Sequence, residues 1–426
     1  MSKQKPITAV LLGAGLRGSF AYGPYAIQHP ENLEFVAVAE PDPVRRAQFA
    51  TAHDIPADRQ FASWEELLAK PQMAQAVFNM TQDQMHYDSS LVALEAGYDM
   101  LLEKPMTNTL AETVELVQVA EKNGRFLQIC HVLRYTPFFK TLYDIIQSGR
   151  LGDIMTVEHR ENVIYWHMAH SFVRGNWRNL ASSSPMILAK CCHDLDILYW
   201  NMSQPVQKLH SFGSLRHYRP ENAPAGATPR CTDGCPVDCP WDARKLYLNM
   251  YNSDWPINAL GTDLSEAGRM KALQEGWYGR CVYQCDNDVV DRQTVNMEFA
   301  DGTPVVMVMH GHSHEESRSM RYDGTRATLR GYFSHFRKAI EIHDHLTGRV
   351  EEVAIPEASS GHGGGDNGIV HSFVQALRGE ETVSTTARES LESHLMAFAA
   401  EESRLNDVVV NMADFRARAE AGSQHG

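Results

Sequence analysis

The chain has 426 residues, 43% apolar and 22% charged, and 39 Lys+Arg against 53 Asp+Glu give a formal net charge of −14. Such a composition can bury a core, which excludes disorder as the dominant state, and the length sets the expectation at two or three domains. An acidic surface repels phosphate, so a general nucleic-acid or anionic-membrane binder is excluded and any anion site must be a local pocket.

Lys3 and Lys5 precede the apolar stretch Ile7–Leu12. The stretch is short and runs straight into glycines with no cleavage pattern, so it reads as a buried strand rather than a leader. No apolar run approaches the roughly 18 residues a spanning helix needs, and a cytoplasmic chain with no membrane partner is expected. Eight cysteines are spread through the sequence, where reduced thiols are the default.

Strand and helix patterns alternate over the first third, as in a parallel sheet with crossover helices. Strands are expected at Ile7–Leu12, Leu33–Ala39, 76–80, 100–102 and 126–130, and helices at 44–53, 87–96 and 110–123. Beyond residue 150 the strand candidates are longer: 154–162, 293–299 and 305–310, the last two joined by Asp301-Gly302, then 340–343 and 350–355 around Thr347-Gly348. These hairpin signals imply a mostly antiparallel sheet with one open face. Residues 213–262 are rich in Pro, Gly, Asn and Cys and read as an inserted excursion, extending with its cysteines to about 285. Helical periodicity returns at 368–377 and 387–405, and the tail after Asp414 is expected to fray. The fold class is therefore α/β. Residues 1–135 are expected to form a first domain on the parallel sheet, and 136–414 a second α/β domain with a large open-faced sheet.

Gly13-x-Gly15-x-x-Gly18 follows a strand and opens a helix. Glycines there permit a tight turn and close backbone approach to a pyrophosphate seated on the helix N-terminus, so Leu16 and Arg17 join them as candidate cofactor contacts. Glu40 ends the second strand, 22 residues beyond Gly18, where a carboxylate binds ribose hydroxyls and repels a 2′-phosphate. NAD is favoured, with NADP kept open by Arg45 and Arg46. Glu103-Lys104-Pro105 closes a later parallel strand, where open α/β sheets hold their ligands. A lysine at that place can donate to a substrate oxygen or act as acid or base.

In residues 186–200, Lys190, His193 and Asp196 sit in an otherwise apolar segment, where charge is costly unless paired or functional. Read as one helix, it puts Ala189, His193 and Asp196 on one face. Residues 165–178 interleave Tyr165, His167, His170, Arg174, Trp177 and Arg178 with little periodicity. They read as a loop suited to a polyol or sugar, with arginines to clamp an anionic substituent. His362 and Asp366 precede a helix and are expected to face the same pocket. Cys231-x3-Cys235-x3-Cys239 and Cys281-x3-Cys285 lack the usual zinc-knuckle spacing. Ordinary thiols are expected, with structural zinc or a redox-sensitive pair as the alternative and no catalytic metal.

The glycine turn, Glu103-Lys104-Pro105, Arg134-Tyr135-x-Pro137, Gly149-x-x-Gly152 and His193-x-x-Asp196, in this order, make residues 5–405 resemble the Gfo/Idh/MocA oxidoreductase family. The resemblance implies an N-terminal Rossmann domain, an open-faced C-terminal sheet used in a homodimer or homotetramer, and hydride exchange between a sugar or polyol carbon and NAD(P). It further implies that Lys104 is the active-site lysine and Pro105 a cis-proline. His193 would be the acid/base at the reacting hydroxyl, with Asp196 behind it. Asn79, Thr81 and His86 would line the nicotinamide side with Glu103, and Arg134 the substrate side. Many members carry Asp four residues before the histidine; this chain has Ala189, followed by Lys190. Two other outcomes stay open. One is an NAD-dependent glycosidase working by oxidation, elimination and hydration on a sugar, possibly an anionic one such as a sulfosugar. The other is a nucleotide-binding sensor without turnover.

Overall fold

The computed structural model describes residues 5–249, 251, 253–357 and 361–422. Six parallel strands build the first sheet: β1 Ile7–Leu12, β2 Leu33–Ala39, β3 Gln60–Phe61, β4 Ala76–Asn79, β5 Asp99–Leu102 and β6 Leu127–Ile129, in the order β3-β2-β1-β4-β5-β6. β1, β4 and β5 are almost wholly buried, as strands covered by helices on both faces must be. Strand order reverses between β1 and β4, and such a switch point opens a crevice at the carboxyl ends of the strands.

Side-chain caps set where the crossover helices begin. Asp42 accepts from Val44 N and Arg45 N at the start of Pro43–Ala52, and Thr109 caps Leu110–Lys122. Pro43 supplies the fixed φ that a first helical turn wants.

The second sheet has nine strands: β7 Ile154–Ile164, β8 Val206–Ser214, β9 Arg292–Phe299, β10 Pro304–Ser313, β11 Ser317–Gly324, β12 Ala327–Ser334, β13 Lys338–Asp344, β14 Val350–Glu352 and β15 Val410–Asn411. Their order is β14-β13-β12-β11-β7-β10-β9-β8-β15. β7 and β10 run parallel at the centre and the other neighbours are antiparallel. Both expected hairpins are present. One face packs on helices, including Cys192–Met202 and Ala387–Asn406, so buried and accessible residues alternate along β9 and β10.

Three local expectations are corrected. Residues 186–200 are two helices, Met186–Ala189 and Cys192–Met202, broken at Lys190 and Cys191. The segment read as a loop is helical, Tyr165–His167 followed by a wider turn at Met168–Arg174. The tail forms the helix Met412–Gly422, held by buried Met412, Phe415 and Ala419. The excursion contains helices of its own, Ala243–Tyr247 and Glu266–Glu275, around a small core of Cys231, Ala243, Tyr247, Ile257 and Leu273. Late in the chain, Gly365–Leu377 returns to the first sheet, where Phe373 meets Phe78 edge-on at 5.5 Å. Among the described residues no helix is long and apolar enough to cross a membrane.

Candidate active site

At the mouth of the first sheet, β1 ends and the chain turns at Gly13, whose φ of +88° and approach to the Met80 carbonyl leave no room for a side chain. A Cβ at Gly15 would touch nothing within 4 Å, so the backbone there faces open space. Leu16–Tyr22 starts the following helix with its first N–H groups uncapped by any side chain. Glu40 is buried beside this turn. Its Oε2 accepts from Ala14 N at 2.8 Å, and its Oε1 accepts from Asp42 N at 3.0 Å and Arg45 Nη2 at 2.8 Å. Open glycine backbone, an exposed helix start and a fixed carboxylate form a set that fits a dinucleotide: pyrophosphate at Gly13–Gly18, adenosine ribose at Glu40.

Arg17 joins this turn to the lysine turn. Its guanidinium donates to Glu103 Oε1 at 2.5 Å and to Asp366 Oδ1 at 2.9 Å, and it contacts Tyr22 and His362. Glu103 also accepts from Tyr22 Oη at 2.6 Å and from Lys104 N at 2.9 Å. Arg17 pulls the Asp366 carboxyl well below the usual range against the effect of burial. His362 and Asp366 therefore meet the glycine turn, on the cofactor side of the crevice. Asn79 Oδ1 accepts from Thr81 Oγ1, and His86 Nδ1 donates to the Pro105 carbonyl at 2.7 Å. This fixes the segment after β4 against the turn after β5. The Lys104-Pro105 peptide is cis.

Lys104 reaches across to the second half. Its Nζ donates to the Ala189 carbonyl at 2.9 Å, an oxygen that the helix break has released, since no His193 N–H bonds it. One turn on, His193 is buried; its Nδ1 has no partner, and its Nε2 bonds no protein group. Burial holds its imidazole well below the usual range, reinforced by Lys104, His131, Arg318 and His362. Behind it Asp196 accepts from Arg134 Nε and Nη2 at 2.7 and 2.6 Å. Arg134 also donates to the Ser384 carbonyl, which leaves it positioning the helix rather than reaching toward a substrate.

Lys190 leaves the broken helix for the second sheet, lying 3.1 Å from Glu161 and 2.7 Å from Glu316. Arg318 spans Glu161 and Asp194, both at 2.8 Å, and Asp194 accepts from His159 at 2.7 Å. Burial pushes Glu161 up to about 7, against the pull of Arg318 and Lys190. His167 joins through Glu316 at 3.0 Å. Sequence reasoning missed Glu161, Glu316 and Arg318, because Glu161 and Arg318 are single charges within strands, Glu316 lies in the turn between β10 and β11, and β11 has no apolar signature of its own.

Other residues of the 165–178 segment divide. Trp177 Nε1 donates to Asp83 Oδ2 at 2.7 Å and Asn176 to Gln82 at 3.0 Å, docking the segment onto the turn after β4. Tyr165 is half-buried at the start of its helix. His170 bonds Tyr247 Oη at 2.7 Å and stacks on Tyr278 at 4.6 Å. Arg174 is buried and donates to the Arg280 and Trp241 carbonyls, both at 2.7 Å; Arg178 pairs with Asp286 and lies over Trp277. Both guanidiniums are thus spent on the excursion, and the expected anion clamp is not assembled. Cys231, Cys235, Cys239 and Cys281 line one small cavity there, yet no three His, Cys, Asp or Glu side chains among the described residues are placed to hold one ion.

Comparison with known proteins decides the family. Residues 7–131 match the sequence profile of an oxidoreductase family with NAD-binding Rossmann fold, and residues 144–412 match that family's C-terminal alpha/beta domain. The chain belongs to the Gfo/Idh/MocA oxidoreductase family. Among its relatives, the putative oxidoreductase YteT of Bacillus subtilis is 21% identical over 67% of this chain and 68% of its own length. Trans-1,2-dihydrobenzene-1,2-diol dehydrogenase of Bos taurus is 36% identical over 32% of this chain and 40% of its own. The solved levoglucosan dehydrogenase in complex with NADH and levoglucosan has the same fold, with a TM-score of 0.70, 15% identity and coverage of 96% and 100% of the two chains. As a Gfo/Idh/MocA member the chain binds NAD through its first domain, and Gly13–Gly18 with Glu40 are the residues suited to hold it.

Proposed function

We propose that the protein interconverts a hydroxyl and a carbonyl carbon on a sugar or polyol. The observation that carries this reading is the juxtaposition of Lys104, bonded to the Ala189 carbonyl, with the unoccupied Nε2 of His193 at the carboxyl end of β5. Bound NAD supplies hydride chemistry at that place: an oxidised nicotinamide takes a hydride from carbon and a reduced one returns it. Lys104 and His193 hold the reacting oxygen. Trp166 and Trp255, 5.2 Å apart and neighbours of His167, offer flat faces to ring C–H groups, and the Lys190–Glu316 pair offers charge-assisted partners to other hydroxyls. Glu40 selects NAD over NADP by its charge. A structural relative solved with NADH and levoglucosan agrees in fold with this reading. A homodimer or homotetramer would form through the outer face of the second sheet, where Glu158, Arg160, Arg321, Arg330 and Glu341 bring both signs of charge to one shallow trough.

The test is a screen of sugars, polyols and aryl glycosides that follows both NADH absorbance and released product. NADH formation with a sugar or polyol, abolished in Lys104→Ala, is expected. Aglycone release without net NADH would replace this reading with redox-neutral glycoside cleavage.

A further inference from the structure

We propose that His193 serves as a fixed hydrogen-bond donor, in its Nε2–H tautomer, and that Lys104 alone carries the proton of the reaction; this rests on the reading above. The argument begins at the inner nitrogen. Nδ1 of His193 is sealed from solvent and has no partner, so each protonation state leaves a different group unsatisfied there. With the proton on Nε2, Nδ1 is a lone pair without a donor. With the proton on Nδ1, or on both nitrogens, an N–H is buried without an acceptor. Orphaned buried donors are rarer than under-used acceptors. His159 shows the same preference within this protein, donating from Nε2 to Asp194 while its own Nδ1 stays unpartnered.

A general base at His193 would need the disfavoured states at both ends of its cycle, Nδ1–H before accepting and the doubly protonated ring after. The surroundings oppose the second state as well. Lys104 after β5, His131 after β6, Arg318 on β11 and His362 before Gly365–Leu377 all lie near enough to oppose a positive charge on the ring, the His131 ring at 5.8 Å. The nearby carboxylates are engaged elsewhere, Asp196 with Arg134 and Asp194 with His159 and Arg318. Position 189 is Ala and contributes only its backbone oxygen, which Lys104 occupies.

Lys104 has no such restriction. One carbonyl partner leaves its other N–H positions or its lone pair for a substrate oxygen, and the residue is only half-buried. In oxidation the substrate O–H bond breaks and its proton passes to the Lys104 amine. The C–H hydrogen leaves the same carbon with its electron pair for the nicotinamide, and C=O forms. Reduction reverses each of these. Through both directions the His193 Nε2–H bond stays intact and points at the oxygen, as one donor of a two-donor oxyanion site.

The tautomer is readable without turnover, from 15N-histidine NMR of the NAD-loaded enzyme, with the His193 signals assigned by their loss in His193→Gln. A pyrrole-type Nε2 and a pyridine-type Nδ1, unchanged between about pH 6 and 8, are expected. An Nδ1–H ring, or one that titrates in that interval, overturns the proposal. Kinetics give a second readout once a substrate is in hand. His193→Gln, whose amide still donates, should lower kcat/KM about tenfold with the shape of its pH dependence kept, whereas Lys104→Met should lose about 10²–10⁴-fold. Equal losses, with a changed pH profile in His193→Gln, overturn it too. If no sugar is turned over, the reading of function fails while the spectrum still decides the tautomer.

Discussion

Arg17 and Glu103 form an ion pair at 2.5 Å that ties the glycine turn after β1 to the lysine turn after β5. Glu103 simultaneously holds the Lys104 backbone N–H and the Tyr22 hydroxyl, so one carboxylate fixes the glycine turn and the lysine turn together. Glu103→Gln keeps one acceptor oxygen and loses the charge. It is expected to cost about 2 kcal/mol in a denaturant titration and to raise the NAD Kd about tenfold by calorimetry.

Glu40 is the carboxylate suited to the adenosine end of NAD. Glu40→Ala removes the acceptor for Ala14 N as well as the carboxylate offered to the ribose. Charge-assisted hydrogen bonds contribute about 1.5–3 kcal/mol each, so the NAD Kd should rise about 10–100-fold. The preference for NAD over NADP should shrink in the same titrations.

Arg134 and Asp196 are a sealed pair behind His193, both almost fully buried. Removing one partner strands the other charge, and Asp196→Asn or Arg134→Met should each destabilise the fold by about 3–5 kcal/mol. The double variant Arg134→Met/Asp196→Asn should lose less than the sum of the two, a coupling that chemical denaturation reads directly.

Buried imidazoles and Glu161 give stability opposite pH dependences. His170 and His394 are each pushed down to about 3 by burial, from an unfolded value of 6.5. The folded state then binds fewer protons than the unfolded one between about pH 3 and 6.5, so this contribution rises with pH there and is lost on acidification. Glu161 is raised from 4.5 to about 7, so its contribution falls as pH rises across that interval. Glu161→Gln removes the falling part. Urea midpoints measured between pH 5 and 7 should climb more steeply in the variant than in the parent chain.

The closing helix Met412–Gly422 anchors itself through Phe415, which is 2% exposed. Phe415→Ala deletes a ring from a packed core and should cost about 3 kcal/mol, seen as a lower Tm.

Much of the first sheet could be read from residues alone, since each long strand is an apolar run ended by a glycine, an acid or a proline. β3 was missed because two residues carry no periodicity. Lys104, His193 and Glu40 were visible for the same reason as the strands, polar groups at the ends or within apolar runs where burial makes them expensive. The break at Lys190 was not. It depends on Lys190 leaving for Glu161 in β7 and Glu316 in the turn before β11, both remote in sequence, and periodicity reports only local neighbours. Arg174 misled for a related reason. It looks like a surface cation until the Arg280 and Trp241 carbonyls, more than sixty residues away, enclose it.

Trp255 of the excursion leans on His167 and His170, at 4.8 and 5.4 Å, while the excursion keeps a core of its own. An insert that folds on its own small core and touches the 165–178 segment can change shape without disturbing the sheet ends that carry Gly13, Glu40 and Lys104. On the function proposed above, that would let substrate choice vary apart from the hydride step.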